Sequence, residues 1–437
     1  MMSASRKTLH NALPFLSSGK QLIKCSNRRI GSVAGKEERR SFGKGKRWVA
    51  LWGNGDYGRL GLSVPASKWQ PTLCTSLEDH QPSAIACGGA HTLILTDEGR
   101  VFATGLNKYG QLGVPLDTHY TLEPMEVEDL PGRCIHVAAG DHHSAAICEG
   151  GDTYTWGSNV QGQLGLGKTV QTHEWKPQRV ESLNGICLKM MALGSQHSLG
   201  LTEDGDVLSW GCGQNGRLGH GQVPNIFGFL QNMSEFSPRT IKSLEDKKVQ
   251  NVSAGLMHSA CVDEHGIVYT FGQGRLNQLG LGSDRDSPEP LPVSALPSVL
   301  EVACGGYHTG AVTRYGDLYM WGSNEYGCLG FGYKQDDYAL VPKKVEGSLA
   351  LSCISQVACG WKHTAVLTGG RIFTWGWGGS QGTFSTDGFS SGGQLGHGDE
   401  FDYFEPHLVN LQIFRKHMYA HCISCGFNHT GAILEEI

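Results

Sequence analysis

Apolar residues along this chain come in short runs, and the runs come in pairs. Residues 92–105, TLILTDEGRVFATG, hold the unit: an apolar run, an acidic and glycine turn, then a second apolar run. Runs this short, parted by turn residues, predict strands joined as a hairpin. A further apolar run ending in glycine precedes the pair, as in Val302-Ala303-Cys304-Gly305. The arrangement recurs along the chain without a convincing helical period, which predicts an all-β fold.

Two motifs mark the period. The first is WGNGDYGRLG from Trp52, which returns from Thr104, Trp156, Trp210, Phe271 and Trp321. A seventh copy starts at Trp375 and, after an insertion, finishes as Gly392-Gly393-Gln394-Leu395-Gly396. The second motif is a histidine followed by Ser or Thr. Its copies are His91, His143, His197, His258, His308, His363 and His429, spaced by 52, 54, 61, 50, 55 and 66 residues. Residues 53–58 also fit the G-x-G-x-x-G dinucleotide fingerprint, which needs a helix after it. Gly61 and Pro65 stand there instead, and only two of the seven copies fit the fingerprint. No cofactor is expected.

A repeat of about 55 residues cannot bury its own apolar face, so the copies must stack. The chain stops at Ile437, one strand after His429, and residues 48–61 supply the half-repeat missing there. That phase shift suits a ring closed by pairing the N- and C-terminal segments in one blade, which leaves no long open edge. The expected architecture is a seven-bladed β-propeller over 48–437, behind a disordered basic leader at 1–47. Glycine makes up 62 of 437 residues, as a fold of tight turns requires.

The leader bears on location. It holds twelve of the 36 Lys and Arg, two of the 41 Asp and Glu, and seven serines. Basic, Ser-rich and acid-poor is the pattern of an organelle transit peptide. A basic tail with Lys44-Gly45-Lys46-Arg47 as a nuclear signal is the alternative. No apolar run is long enough to span a bilayer, so no membrane insertion is expected. Without the leader the chain carries a formal charge of −15, which disfavours general binding of DNA or RNA. Local patches such as Lys247 with Lys248 leave direct RNA binding open but poorly supported.

The residues offer no catalytic constellation, and no enzyme activity is expected. Seven equivalent histidines are expected to hydrogen-bond backbone between neighbouring strands, not to bind metal. Trp52, Trp156, Trp210, Trp321 and Trp375 are expected in the blade core. Of 14 cysteines, Cys87, Cys304, Cys359 and Cys425 share one repeat position. They read as small apolar residues of a protein in a reducing compartment. Cys422 and Cys425 have CxxC spacing, but a strand points such thiols to opposite faces. Residues 388–392 match G-x-S-x-G but lie in an insertion, away from any strand-to-helix elbow.

Seven copies of G-x-x-H-[ST], linked to W-G-x-[NG]-x-x-G-[QR]-L-G, resemble the regulator of chromosome condensation repeat family over 48–437. The resemblance implies a seven-bladed propeller that binds other proteins. With its leader, the chain is most similar to the plant organellar branch. That branch implies a mitochondrial scaffold supporting RNA splicing or processing, and through it respiratory-complex biogenesis, with organelle RNA-processing factors as partners. The family's ultraviolet-B photoreceptor uses tryptophans two residues before several repeat histidines. Here those positions hold Gly89, Asp141, Ser195, Leu256, Gly306, Trp361 and Phe427, which include a single Trp. Guanine-nucleotide exchange on a small GTPase of the Ran type, or a nuclear chromatin-associated propeller, is the alternative. Insertions at 222–238 and 379–391 break the period, and loops on a rigid scaffold commonly carry binding. Asn225, Phe227, Phe229, Phe384 and Phe389 are therefore the expected partner-binding residues.

Overall fold

The computed structural model describes residues 45–168, 171–221, 234–332, 337–379 and 392–437. Seven antiparallel sheets of four strands each form the blades of a propeller. Blade 1 consists of Pro82–Cys87, His91–Thr96, Val101–Leu106 and Tyr120–Glu126, paired in chain order from the axis outward. Its second strand is buried along its whole length, whereas its outermost strand has no buried residue. Blades 2 to 6 repeat this over 134–179, 188–240, 249–292, 299–344 and 356–408.

Blade 7 closes the ring. Its inner strands are Met418–Cys425 and His429–Glu436, and its outer strands are Arg47–Gly53 and Lys68–Leu73. The N-terminal share thus reaches Leu73, beyond the expected end at Gly61. Arg47, which composition assigned to the leader, opens a strand, is 4% exposed, and bonds Asp97 and the Pro82 carbonyl. Asp56–Gly58 makes one turn of 3-10 helix with Tyr57 at φ 59°, so no α-helix follows the glycine fingerprint.

The core is divided among the blade interfaces. Leu93, Val101 and Leu112 of blade 1, for example, pack on Val137, Ala146 and Trp156 of blade 2. The repeat tryptophans Trp52, Trp156, Trp210, Trp321 and Trp375 are all 0% exposed. The last glycine of the first motif leaves room for the ring. A Cβ on Gly165 would lie 2.9 Å from Trp210 Nε1, and φ there is +74°.

The histidines tie each blade to the next. His91 Nε2 lies 2.9 Å from Ser144 Oγ of blade 2, and His143 pairs likewise with Ser198 at 3.2 Å. His197–Ser259, His258–Thr309, His308–Thr364 and His363–Thr430 continue the series, and His429–Thr92 closes it, all at 2.8–2.9 Å. Each hydroxyl also donates to a carbonyl of the preceding first motif, as Ser144 does to Gln111 O at 2.7 Å and Thr92 to Arg59 O at 2.8 Å. A hydroxyl has one hydrogen, so it must accept from the imidazole, which fixes the Nε2–H tautomer. The seven Nδ1 atoms have no partner among the described residues. This differs from the expected bond to backbone. The imidazole faces the neighbouring blade, and the Ser or Thr passes the connection on to backbone.

The glycine three residues before each histidine lets the loops close on one another. Gly194→Ala would place a Cβ 2.3 Å from His197 Cε1 and 2.5 Å from the Gly255 carbonyl. Backbone cannot yield cheaply there, and overpacking of this kind costs about 1–3 kcal/mol, sometimes more. Gly185→Ala meets nothing within 4 Å, so it carries only the strain of its φ of +82°, about 1–2 kcal/mol. Urea unfolding of the two variants is expected to rank Gly194→Ala as the more damaging. Equal midpoints would refute the close packing of the loops.

Candidate interaction face

Antiparallel connections alternate between the two ends of a blade. The turn from first to second strand and the loop from third to fourth therefore open at the same end. That end of the disc carries both sequence motifs.

Around the axis, the first-to-second turns bond to one another. Gly89 N donates to Gly140 O at 3.0 Å, Asp141 N to Gly194 O at 3.2 Å, and Ser195 N to Gly255 O at 3.3 Å. Leu256, Gly306 and Phe427 do the same with Gly305, Gly360 and Gly88, at 3.0–3.2 Å. These turns surround an axial cavity of ≈ 80 Å³, with Cys87, Cys304, Cys359 and Cys425 in its wall. Burial pushes the Cys87 and Cys304 thiols up to about 12. They are protonated and weakly reactive at neutral pH.

One sector of the rim is aromatic. Trp361 stacks on Phe427 with ring centres 5.9 Å apart and meets Trp377 edge-on at 6.2 Å. Tyr326 lies 6.1 Å from Trp377. Lys362 sets its ammonium 4.1 Å from the Tyr326 ring centre, 4.7 Å from Trp361 and 5.4 Å from Trp377. A cation over ring faces is held by the ring quadrupoles. The Cys328 thiol fastens the same turn by donating to the Lys362 carbonyl at 3.0 Å. Burial raises the pKa of nearby Asp402, against the pull of its bond from Gly378 N and of Lys362. Further round, Tyr109 packs on His142 at 4.9 Å, and His173 meets Trp175 at 6.2 Å. Trp69, Tyr120 and Trp175 are 48%, 43% and 42% exposed, near the starts of outermost strands at the same end. Aromatic side chains gathered on a rigid face are the usual anchors of protein recognition.

The structure distributes the sequence-derived residues unevenly. The seven repeat histidines and five repeat tryptophans lie inside the blade interfaces, away from solvent. Asn225, Phe227, Phe229, Phe384 and Phe389 lie outside the described residues. Of the stretch 222–238, its last residues belong to the outermost strand of blade 3, Glu235–Thr240, and not to an insertion. Sequence reasoning passed over Trp377 and Tyr326, which sit inside the repeat motif where a neighbouring Trp reads as core. Trp361 stood out only as a departure from the other copies, as the single Trp at its repeat position. Among the described residues, no cluster of three or more His, Cys, Asp or Glu could hold a metal.

A family model described as an RCC1-like domain matches residues 48–432. Ultraviolet-B receptor UVR8 of Arabidopsis thaliana is 32% identical over 390 residues, covering 89% of this chain and 70% of that protein. The mitochondrial RCC1 domain-containing protein RUG3 of Arabidopsis thaliana is 33% identical over 258 residues, covering 58% of this chain and 55% of that protein. Yeast RCC1 (Prp20), solved bound to Kap60, superposes with a TM-score of 0.79 at 21% identity, over 99% of this chain and 97% of that one. At that identity the likeness concerns the fold alone.

Proposed function

We propose, for a chain that belongs to the RCC1-like domain family, a non-catalytic protein scaffold of the mitochondrion that supports RNA splicing or processing and thereby respiratory-complex biogenesis. The observation that carries the scaffold reading is the aromatic sector Tyr326–Trp361–Lys362–Phe427, backed by Trp377, on a face where six of the axial turns bond to the next. A partner would meet the half-buried Tyr326, Trp361, Lys362 and Phe427, held in place by Trp377 beneath them at 3% exposure, and preordered side chains bind at little entropic cost. The leader's composition and the likeness to RUG3, a mitochondrial protein, support the location. The RNA role rests on the organellar branch that the repeats and leader resemble.

The experiment is a C-terminal fluorescent fusion, full length and lacking residues 1–47, followed by organelle transcript analysis in a deletion strain. Mitochondrial signal that needs the leader, with unspliced or misprocessed transcripts on deletion, is expected. Unchanged transcripts would remove the RNA role. Nuclear signal would make nucleotide exchange on a small GTPase, or chromatin association, the reading to pursue. For partners captured from mitochondria, Trp361→Ala is expected to weaken binding at least about 30-fold, as truncation of an anchor does. Undiminished capture would exclude this sector as the docking site.

A further inference from the structure

Cys134 and Cys148 face one another in blade 2. Cys134 opens the innermost strand, Cys134–Ala139, and Cys148 ends the second, His143–Cys148, and the register sets the two residues directly opposite. Their sulfurs are 2.6 Å apart, and the residues are 2% and 3% exposed. Their backbone N–H groups bond elsewhere, Cys134 to Gly99 O and Cys148 to Asp152 O, each at 2.9 Å. The two thus form a pair that exchanges no ladder hydrogen bonds. In such pairs the Cα atoms lie about 4.5 Å apart and the side chains are closest. That separation is within the range a disulfide spans, about 4.4–6.8 Å.

We propose that Cys134 and Cys148 are an oxidation site that closes into a cross-strand disulfide, stapling the two innermost strands of blade 2. A disulfide bond is about 2.05 Å long, so the sulfurs need move only about half an ångström. The oxidant is a small peroxide, since the pair is buried. Either thiol can donate to the other, so either sulfur can be the first to react. With Cys148 first, its thiolate is the attacking group. Its sulfur takes one peroxide oxygen as the O–O bond breaks, giving a sulfenic acid and one water. The Cys134 sulfur then attacks the Cys148 sulfur. The S–S bond forms, the S–O bond breaks, and the hydroxide leaves with the Cys134 proton as a second water. Two thiols lose two electrons and two protons, and one peroxide becomes two waters.

The CxxC pair has no such geometry. Cys422 packs with Ile85 and Ile433 between blades 7 and 1, whereas Cys425 packs with Ala365 and Ile423 between blades 6 and 7.

The test treats the reduced, folded full-length protein with hydrogen peroxide, alkylates it in denaturant and maps its peptides. Exposed Cys187 and Cys353 report that the oxidant was active. The expected result is a peptide linked through Cys134 and Cys148, with two fewer alkylatable thiols, and no preference for this pair when peroxide is added in urea. Cys134→Ser is expected to leave a sulfenic acid on Cys148 that dimedone traps. If Cys134 and Cys148 stay fully alkylatable while Cys187 and Cys353 are oxidised, the proposal fails. Linkage of either residue to another cysteine also overturns it. The wild-type map decides the matter even if the serine variant does not fold.

Discussion

Between pH 7 and pH 5.5 this protein is expected to lose about 9 kcal/mol of stability and to unfold cooperatively. The cause is the histidine ring. Burial drives His91, His143, His258 and His363 down to about 3 and His308 to about 4, and lowers His197 and His429 well below the usual value. The unfolded chain binds the same protons at about 6.5. Between those values the unfolded state holds up to seven more protons on these histidines than the folded one, and His136, His220 and His397, which burial also lowers, act in the same direction. Stability is therefore full above pH 6.5 and falls as the pH drops through that value towards 3. At pH 5.5 each histidine costs about 1.2 kcal/mol relative to pH 7. Seven such terms rival a typical folding free energy of about 5–15 kcal/mol. Ordinary carboxylates titrate below about pH 5, and Asp141, Glu174 and Asp402, which burial raises, oppose the histidine effect because the folded state takes up their protons first. Urea midpoints from pH 8 to pH 5 would read the proton uptake directly. A flat midpoint across pH 7 to 5.5 would mean that the ring is not buried as described.

Trp210→Ala, like truncation of the equivalent Trp156, Trp321 or Trp375, is expected to be strongly destabilising. Trp210 is 0% exposed, and its Nε1 donates to Gln163 O at 2.9 Å, the carbonyl that also receives Ser198 Oγ at 2.7 Å. Removing a buried indole costs about 3–5 kcal/mol. The loss falls on the joint between blades 2 and 3, where Leu183, Leu188 and Met191 pack with the ring. Trp210→Phe is expected to be far milder, about 1 kcal/mol for the lost hydrogen bond. The protein holds its own controls. Blade 4 already uses Phe271 at this position, and Trp52 Nε1 has no partner among the described residues. Trp52→Phe should therefore cost less than Trp210→Phe. Urea denaturation of the variants decides the ranking. A loss under about 1 kcal/mol for Trp210→Ala would place the stability of the ring elsewhere.

The architecture was legible because repetition averages out local ambiguity. Seven copies of two linked motifs identify the blade, and the phase of the last copy against the first identifies the closure. The strand pattern gave the hairpins, although the N-terminal contribution ran on to Leu73, since a polar outermost strand carries little apolar signal. The role of the histidines was only half legible. That they were structural followed from their equivalence. Their true partners did not, because each Ser or Thr sits next to one histidine in sequence and bonds to another 51–67 residues away, or 337 across the closure.

By itself, then, the sequence determined the fold class, the number of blades, the ring closure and the acidic, helix-poor character of the propeller, all of which follow from local patterns repeated at a fixed spacing. Only the tertiary structure decided which side chains meet across blades and strands. Trp361 reaches Trp377 and Phe427, Lys362 rests on Tyr326, and Cys134 touches Cys148. The physical reason is that such contacts depend on strand register, on distance from the axis and on the closing of the ring. No single repeat encodes these.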